Sequence, residues 1–193
     1  DAGADCVKFQ TFKADKLVTP SAPKAEYQTQ ATDPDESQYE MLRQLELTVE
    51  THKLIMDHCR KRNILFLSSP FDEDSSDMLE DLGVTAFKIP SGEITNLAFL
   101  EHVARKGMPM LVSTGMANIG EVAAAVNVIE KHGRGSLALL QCVSNYPADP
   151  ADVNLRAMHT MSTAFDLPVG YSDHTPGTEV AVASVAPGPP RTT

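Results

Sequence analysis

Six short apolar runs, each followed by a helical pattern, restrict the folds open to this chain more than any other feature. The runs are Cys6–Gln10, Ile64–Ser68, Ala86–Ile89, Met110–Ser113, Leu137–Gln141 and Pro168–Tyr171. From the second onward their starts lie about 22 to 31 residues apart. That spacing leaves room for one helix between strands. Val49–Arg62 carries Leu54, Ile55 and Cys59 at helical intervals, with basic residues in its last turn. Asp74–Leu82 runs to Gly83, Leu97–Arg105 follows a capping Asn96, and Ile119–His132 lies between Asn118 and Gly133. Leu155–Phe165 and Thr178–Ala186 continue the pattern. Strands alternating with helices at this period predict a parallel sheet with crossover helices, an α/β fold.

The runs end in polar residues: Gln10, Ser69, Ser91, Ser113, Gln141 and Ser172. Chemistry therefore gathers at the carboxyl edge of the strands. This suits a (β/α)₈ TIM barrel and also an open doubly wound sheet. No Gly-x-Gly-x-x-Gly loop follows a strand, so the barrel is the better expectation. Six strands make it incomplete, about strands 2 to 7, with one unit expected before Asp1 and one after Ala186. The chain opens Asp1-Ala2-Gly3 with no initiator Met. Residues 1–186 are expected to form a partial barrel domain, and 187–193, rich in proline, a non-native or truncated tail.

Two lysines stand where a buried strand should carry no charge. Lys8 lies between Val7 and Phe9, and Lys88 between Phe87 and Ile89. Side chains alternate along a strand, so if the apolar face packs on helices both ammonium groups point inward. A buried unpaired ammonium is costly, and a small anion held by both lysines would offset that cost. The alternative is a pair of lysines whose stems lie on apolar surface while the heads reach water. The chain as a whole is acidic, with 16 basic against 26 acidic residues and a net charge of −10. With no basic stripe, nucleic acid is not an expected partner. Cys6, Cys59 and Cys142 show no metal-ligand spacing, which fits a reducing cytoplasm without disulfides. No apolar run is long enough to span a membrane.

The connection from Thr11 to Ser37 is long and polar, with Lys13, Lys16, Lys24, Tyr27 and Gln28. A loop of that length is expected to be a functional lid. Ser37 then caps a helix, Gln38–Leu45, that carries Tyr39.

The strand ends read Val-Lys-Phe-Gln-Thr-Phe, Ser-Ser-Pro-Phe-Asp, Lys-Ile-Pro-Ser-Gly-Glu-Ile, Ser-Thr-Gly-Met, Gln-Cys-Val-Ser-Asn-Tyr-Pro and Gly-Tyr-Ser-Asp-His-Thr. In this order and spacing they resemble the N-acetylneuraminate (sialic acid) synthase family, over nearly the whole chain. The resemblance implies condensation of phosphoenolpyruvate with an N-acetylated amino sugar to give a nonulosonic acid and phosphate. It implies a divalent metal, Mn²⁺ or Mg²⁺. By the same resemblance Lys8, Ser69, Lys88, Ser91, Ser113, Ser144, Tyr146 and Ser172 match positions that bind phosphoenolpyruvate. Gln10, Tyr39 and Glu93 match sugar contacts, with Glu93 a candidate to move a proton, and His174 matches one metal ligand. N-acetylmannosamine is the expected acceptor, narrowly ahead of a diacetamido-trideoxyhexose leading to legionaminate or pseudaminate. The Lys24–Gln28 stretch resembles members that make legionaminate.

Each assignment has a plainer counterpart. Ser69, Ser91 and Ser113 could satisfy backbone groups at strand ends. His174 could be a turn residue bonded to Asp173, Glu93 a cap, and Tyr39 an anchor for its helix. A deoxy-sugar phosphate synthase on the same barrel would need a further basic cluster, which is not evident. A non-catalytic sugar- or phosphate-binding protein is the reading from a different class. Relative to the family, the first strand with its catalytic Glu, the second metal His and an antifreeze-like domain are absent. This chain alone is therefore expected to be inactive, and the full-length protein to be a cytoplasmic homodimer.

Overall fold

The structure, a computed structural model, describes residues 3–31, 33 and 36–186. The tail expected at 187–193 lies outside the described residues. The chain divides into two units, Asp1–Thr85 and Ala86–Thr193.

In the first unit, β1 (Cys6–Thr11) pairs in parallel with β2 (Leu65–Pro70). Parallel neighbours need a crossover, and four helices supply it: α1 (Ala14–Leu17), α2 (Glu26–Ala31), α3 (Gln38–Gln44) and α4 (Val49–Lys61). A fifth, α5 (Glu73–Asp81), follows β2. The Thr11–Ser37 connection, expected as an unstructured lid, thus contains two short helices. Both are shorter than two turns and carry no amphipathic repeat long enough to be read from sequence. The Ser37 cap is present, and it forms a reciprocal capping box with Glu40. Helix α5 starts one residue earlier than its apolar pattern suggests, because the Asp72 carboxylate caps it through the Ser75 amide at 2.8 Å.

The apolar face of β1 and β2 is set by stacking of Phe9 on Phe66, with ring centroids 5.5 Å apart. A polar chain continues this face. The Thr11 hydroxyl lies 2.7 Å from that of Ser68 and 2.8 Å from Nε2 of His52 on α4. Nδ1 of His52 meets the Thr48 carbonyl at 2.8 Å. A carbonyl only accepts, so Nδ1 carries the proton. Nε2 then accepts from Thr11, and Thr11 accepts from Ser68. Thr11, His52 and Ser68 are all buried, and all are satisfied.

In the second unit, β3 (Phe87–Ile89), β4 (Met110–Ser113), β5 (Leu137–Cys142) and β6 (Val169–Ser172) pair in parallel in that order. Helices α6 (Leu97–Arg105), α7 (Ile119–His132) and α8 (Arg156–Phe165) connect them, and α9 (Glu179–Val185) follows β6. The Asn118 carboxamide caps α7 in a capping box with Glu121. Gly107, at φ +72°, ends α6 in the left-handed conformation that a side chain would strain. Phe87, Ile89, Val112 and Leu139 present one fully buried face of the sheet, and Leu100 and Val103 of α6 are equally buried. Each such side chain contributes about 1.5–3 kcal/mol of burial free energy. Among the described residues no helix is long and apolar enough to cross a membrane.

The buried chain in the first unit generates a prediction. His52→Ala leaves the Thr11 hydroxyl without its acceptor and opens a cavity, and should cost about 2–4 kcal/mol of stability. Urea denaturation of the complete gene product measures this, and a change below about 1 kcal/mol would show that the chain bears little stability.

Candidate active site

Register decides which side chains share a face. In the first unit Gln10 pairs with Ser69 and Lys8 with Leu67. Phe9, Thr11, Phe66 and Ser68 face α4, so Lys8, Gln10 and Ser69 share the opposite face at its carboxyl end. Lys8 and Gln10 are exposed there. This corrects the expectation of a buried Lys8: the alternation is as predicted, but its face of β1 is open to solvent. Ser69 differs, being 1% exposed, with a hydroxyl that finds no hydrogen-bond partner.

Tyr39 on α3 donates its hydroxyl to Oδ1 of Asp15 on α1, at 2.5 Å. That hydrogen bond to a carboxylate raises the phenol pKa. The anchoring role suggested for Tyr39 is therefore present, with α1 as the anchor. The lysines of this connection are paired with carboxylates. Lys13 meets Glu46 at 2.9 Å, Lys16 lies against Asp74 and Asp72, and Lys24 meets Glu36 at 3.1 Å.

In the second unit, Lys88 pairs with Leu111, Ser113 with Leu140, and Cys142 with Ser172. Alternation then puts Lys88, Ser113, Cys142 and Ser172 on one face. Lys88 is 7% exposed, and its ammonium donates to the Ile89 carbonyl at 3.0 Å. Its inward placement is as expected. Among the described residues the buried Ser113 hydroxyl, like that of Ser69, has no partner, so neither serine satisfies a backbone group there.

Ser91 does. It opens a 3₁₀ turn, Ser91–Glu93, and its hydroxyl accepts from the Gly115 amide at 3.0 Å. A Cβ built on Gly115 would lie 2.8 Å from the Ser91 oxygen and would collide with that of Ser144. Glycine at 115 therefore lets two hydroxyls from different strand ends approach one amide. Sequence reading singled out both serines but not the glycine. Only the bare Ser-Thr-Gly stretch hinted at it.

Glu93, at the end of the same turn, accepts from the Asn96 carboxamide at 2.9 Å, and Asn96 in turn caps α6 through the Phe99 amide. The capping alternative for Glu93 is thus present, one step removed. Half of its surface environment stays open to solvent.

His174 follows β6. Its Nδ1 lies 2.6 Å from the Val143 carbonyl, so Nδ1 bears the proton and the neutral ring offers its Nε2 lone pair elsewhere. The Cys142 sulfur stands 3.8 Å from the same Nδ1. The Tyr146 ring packs on the imidazole with centroids 4.2 Å apart. His174 is not bonded to Asp173, whose carboxylate instead accepts from the Thr175 amide and hydroxyl at 2.9 and 2.8 Å. The Thr175 amide holds the Asp173 pKa below the ordinary carboxylate value. Burial pushes the Tyr171 phenol up to about 12, with the charge of Asp173 adding to it.

An imidazole fixed through Nδ1 by a carbonyl is the arrangement that prepares Nε2 for a metal. It is one ligand. Among the described residues no group of three or more His, Cys, Asp or Glu could hold an ion.

The chain as a whole is similar to several known proteins. The sequence profile of the NeuB family matches residues 1–190. The chain is 50% identical over 190 residues to the N,N'-diacetyllegionaminic acid synthase of Campylobacter jejuni, covering 97% of this chain and 57% of that protein. It is 49% identical over 192 residues to the enzyme of the same name from Legionella pneumophila, covering 97% and 54%. Identity to the human N-acetylneuraminate-9-phosphate synthase is 33% over 189 residues, covering 97% and 52%. The chain thus spans about half the length of these relatives. Among solved structures it is similar to the N-acetylneuraminic acid synthetase of Leptospira borgpetersenii in complex with citrate. The TM-score is 0.83 at 30% identity, covering 98% of this chain and 61% of that one. A truncated 3-deoxy-D-arabino-heptulosonate 7-phosphate synthase from Thermotoga maritima shares the fold at TM-score 0.62 and 15% identity, over 72% of this chain and 56% of that one. The fold is that of the (β/α)₈ class, of which six strands are described here.

Two measurements test the local geometry. Gly115→Ala should destabilise the complete gene product by about 1–3 kcal/mol, and adding Ser144→Ala should recover most of the loss. No recovery in the double variant would mean that the two residues are not in conflict. Tyr171 should ionise near pH 12, above its ordinary 10.0, in a spectrophotometric titration. The native state keeps a proton that the unfolded chain gives up. Stability is therefore full below about pH 10 and falls as pH rises from there toward about 12.

Proposed function

Because this chain belongs to the NeuB family, we propose that it forms the phosphoenolpyruvate-binding part of a nonulosonic acid synthase. The single observation that carries this reading is its 50% identity, over 97% of its length, to an N,N'-diacetyllegionaminic acid synthase.

The chemistry of the second unit supports it. Phosphoenolpyruvate bears a phosphate and a carboxylate, and needs cationic and hydroxyl donors around both. The face that holds Lys88, Ser113 and Ser172 offers one buried ammonium and two hydroxyls at the carboxyl ends of their strands. The hydroxyls of Ser91 and Ser144 gather at Gly115, whose amide donates to Ser91 and leaves the Ser91 proton to be given. The buried Ser113 hydroxyl, without a partner among the described residues, suits donation to an anionic ligand.

In the reaction, C3 of phosphoenolpyruvate attacks the aldehyde carbon of the open-chain amino sugar and forms the new C–C bond. The aldehyde oxygen takes a proton and becomes a hydroxyl. Water adds at C2, and inorganic phosphate departs with C–O cleavage. Glu93 positions the sugar or moves the proton, and Gln10 and Tyr39 bind neutral hydroxyl and acetamido groups. A divalent ion, Mn²⁺ or Mg²⁺, would take His174 as one ligand and would supply polarisation of the aldehyde oxygen. The working compartment proposed is the cytoplasm.

The acceptor is a diacetamido-trideoxyhexose of the legionaminate type. This reverses the order expected from sequence, where N-acetylmannosamine stood slightly ahead. Two relatives named for N,N'-diacetyllegionaminic acid stand at 50% and 49% identity, and the human protein named for N-acetylneuraminate 9-phosphate at 33%. Gln10 and Tyr39 could not separate two neutral acceptors in advance, because both sugars offer the same hydroxyl and acetamido chemistry.

The complete gene product should release phosphate from phosphoenolpyruvate only when an amino sugar is present, with higher kcat/KM for the diacetamido sugar than for N-acetylmannosamine. Lys88→Ala should weaken phosphoenolpyruvate binding roughly ten- to a hundredfold in calorimetry, the cost of losing a charge-assisted contact. Unchanged affinity would remove Lys88 from the site. A chelator should abolish turnover, added Mn²⁺ or Mg²⁺ should restore it, and His174→Ala should reproduce the chelated state. Full activity after exhaustive chelation rules out the metal.

A further inference from the structure

We infer that Asn96 is a positioning residue for the condensation, one that fixes which oxygen of Glu93 is offered to the amino sugar. The inference rests on the proposed role of Glu93 at the acceptor. A single carboxamide ties Glu93 to the start of α6. Its Oδ1 accepts from the Phe99 amide at 3.3 Å, and its Nδ2 donates to Oε2 of Glu93 at 2.9 Å. A backbone N–H only donates, so Oδ1 must face Phe99 and the Nδ2 donors are left for Glu93. With Oε2 engaged, Oε1 is the oxygen left for a ligand.

The core holds this arrangement still. Phe99 is 3% exposed and Leu100 beside it is fully buried, so the first turn of α6 cannot drift. Ile94, between Glu93 and Asn96, is 2% exposed. The backbone repeats the link, since the Asn96 amide donates to the Glu93 carbonyl at 3.0 Å. At the other end of the same 3₁₀ turn, Ser91 accepts from the Gly115 amide. The turn that carries Glu93 is thus tied to the end of β4 on one side and to α6 on the other. A glutamate side chain otherwise samples several rotamers, and fixing it beforehand removes that ordering from the binding step. Capping alone does not explain asparagine at 96, because aspartate caps a helix equally well. What the carboxamide adds is a nitrogen donor, and that donor goes to Glu93.

The test uses the complete gene product with phosphoenolpyruvate and the diacetamido-trideoxyhexose as substrates. Asn96→Asp keeps the cap, removes the donor and sets one carboxylate against another. It should lower kcat/KM for the amino sugar roughly ten- to a hundredfold, the scale of a hydrogen bond to a charged group. Phosphoenolpyruvate affinity in calorimetry and the urea midpoint should stay as in wild type. In a Glu93→Ala background the same substitution should have no further effect on kcat/KM, or on the amino-sugar Kd where turnover is too slow. A merely structural role would lower activity equally with and without Glu93. Should Asn96→Asp not fold, Asn96→Ala replaces it in the cycle, with turnover counted per phosphoenolpyruvate-binding site. Full kcat/KM in the Asn96 variant, or an equal loss in both backgrounds, overturns the role of Asn96 and leaves the condensation reading standing. If wild type consumes no phosphoenolpyruvate with any amino sugar, the condensation reading itself falls, and the role of Asn96 with it.

Discussion

The parallel pairing of β3 through β6 is the constraint on which the second unit depends. Once Lys88 is registered with Leu111, Ser113 with Leu140 and Cys142 with Ser172, four polar or polarisable side chains from four strands must share a face. Slipping any strand by one residue would send its member to the opposite face, among Phe87, Ile89, Val112 and Leu139, where a charge has no partner. The apolar face thus fixes the polar one. Hydrophobic burial and the position of the buried ammonium are one structural decision rather than two.

The first unit reaches order differently. Its strands are joined through a connection with little apolar content, and charge holds it in place. Lys13 with Glu46, Lys24 with Glu36 and Tyr39 with Asp15 tie α1 and its neighbours to α3 and the residues that flank it. Lys16 reaches across to Asp72, whose carboxylate also caps α5. An exposed pair such as Lys13–Glu46 contributes little, about 0–1 kcal/mol, whereas Lys24 and Glu36 are largely shielded from water. Their joint effect is geometric, in that they select one arrangement of short helices that have no core of their own. Beneath them the uncharged chain from Ser68 through Thr11 to His52 does the buried work.

Much of this was legible in the sequence because it rests on period and punctuation. Met110–Ser113, Leu97–Arg105 and Ile119–His132 stand where alternation, capping asparagines and following glycines put them. The inward turn of Lys88 follows from the same alternation. Other features depend on partners far apart in the chain, which no local pattern encodes. Lys8 alternates as predicted, yet its exposure depends on what covers its face. His174 could be suspected as a ligand, but the hydrogen bond that orients its ring comes from the Val143 carbonyl, 31 residues away. The anchor of Tyr39, Asp15, lies 24 residues before it. His52 sat on a helix with no motif around it, and Thr11, the partner of its Nε2, lies 41 residues back at the end of β1.

The Gly115 amide on Ser91 has a consequence for the direction of hydrogen bonding at the strand ends. A serine hydroxyl is ordinarily ambivalent, ready to give or to take. Here an N–H already occupies one lone pair of the Ser91 oxygen, which biases that hydroxyl toward giving its proton away. The polarity runs from the backbone outward, amide to oxygen to whatever lies next. A strand end wired in this sense offers a proton before it offers a lone pair, and it does so through one peptide bond, before any lysine contributes.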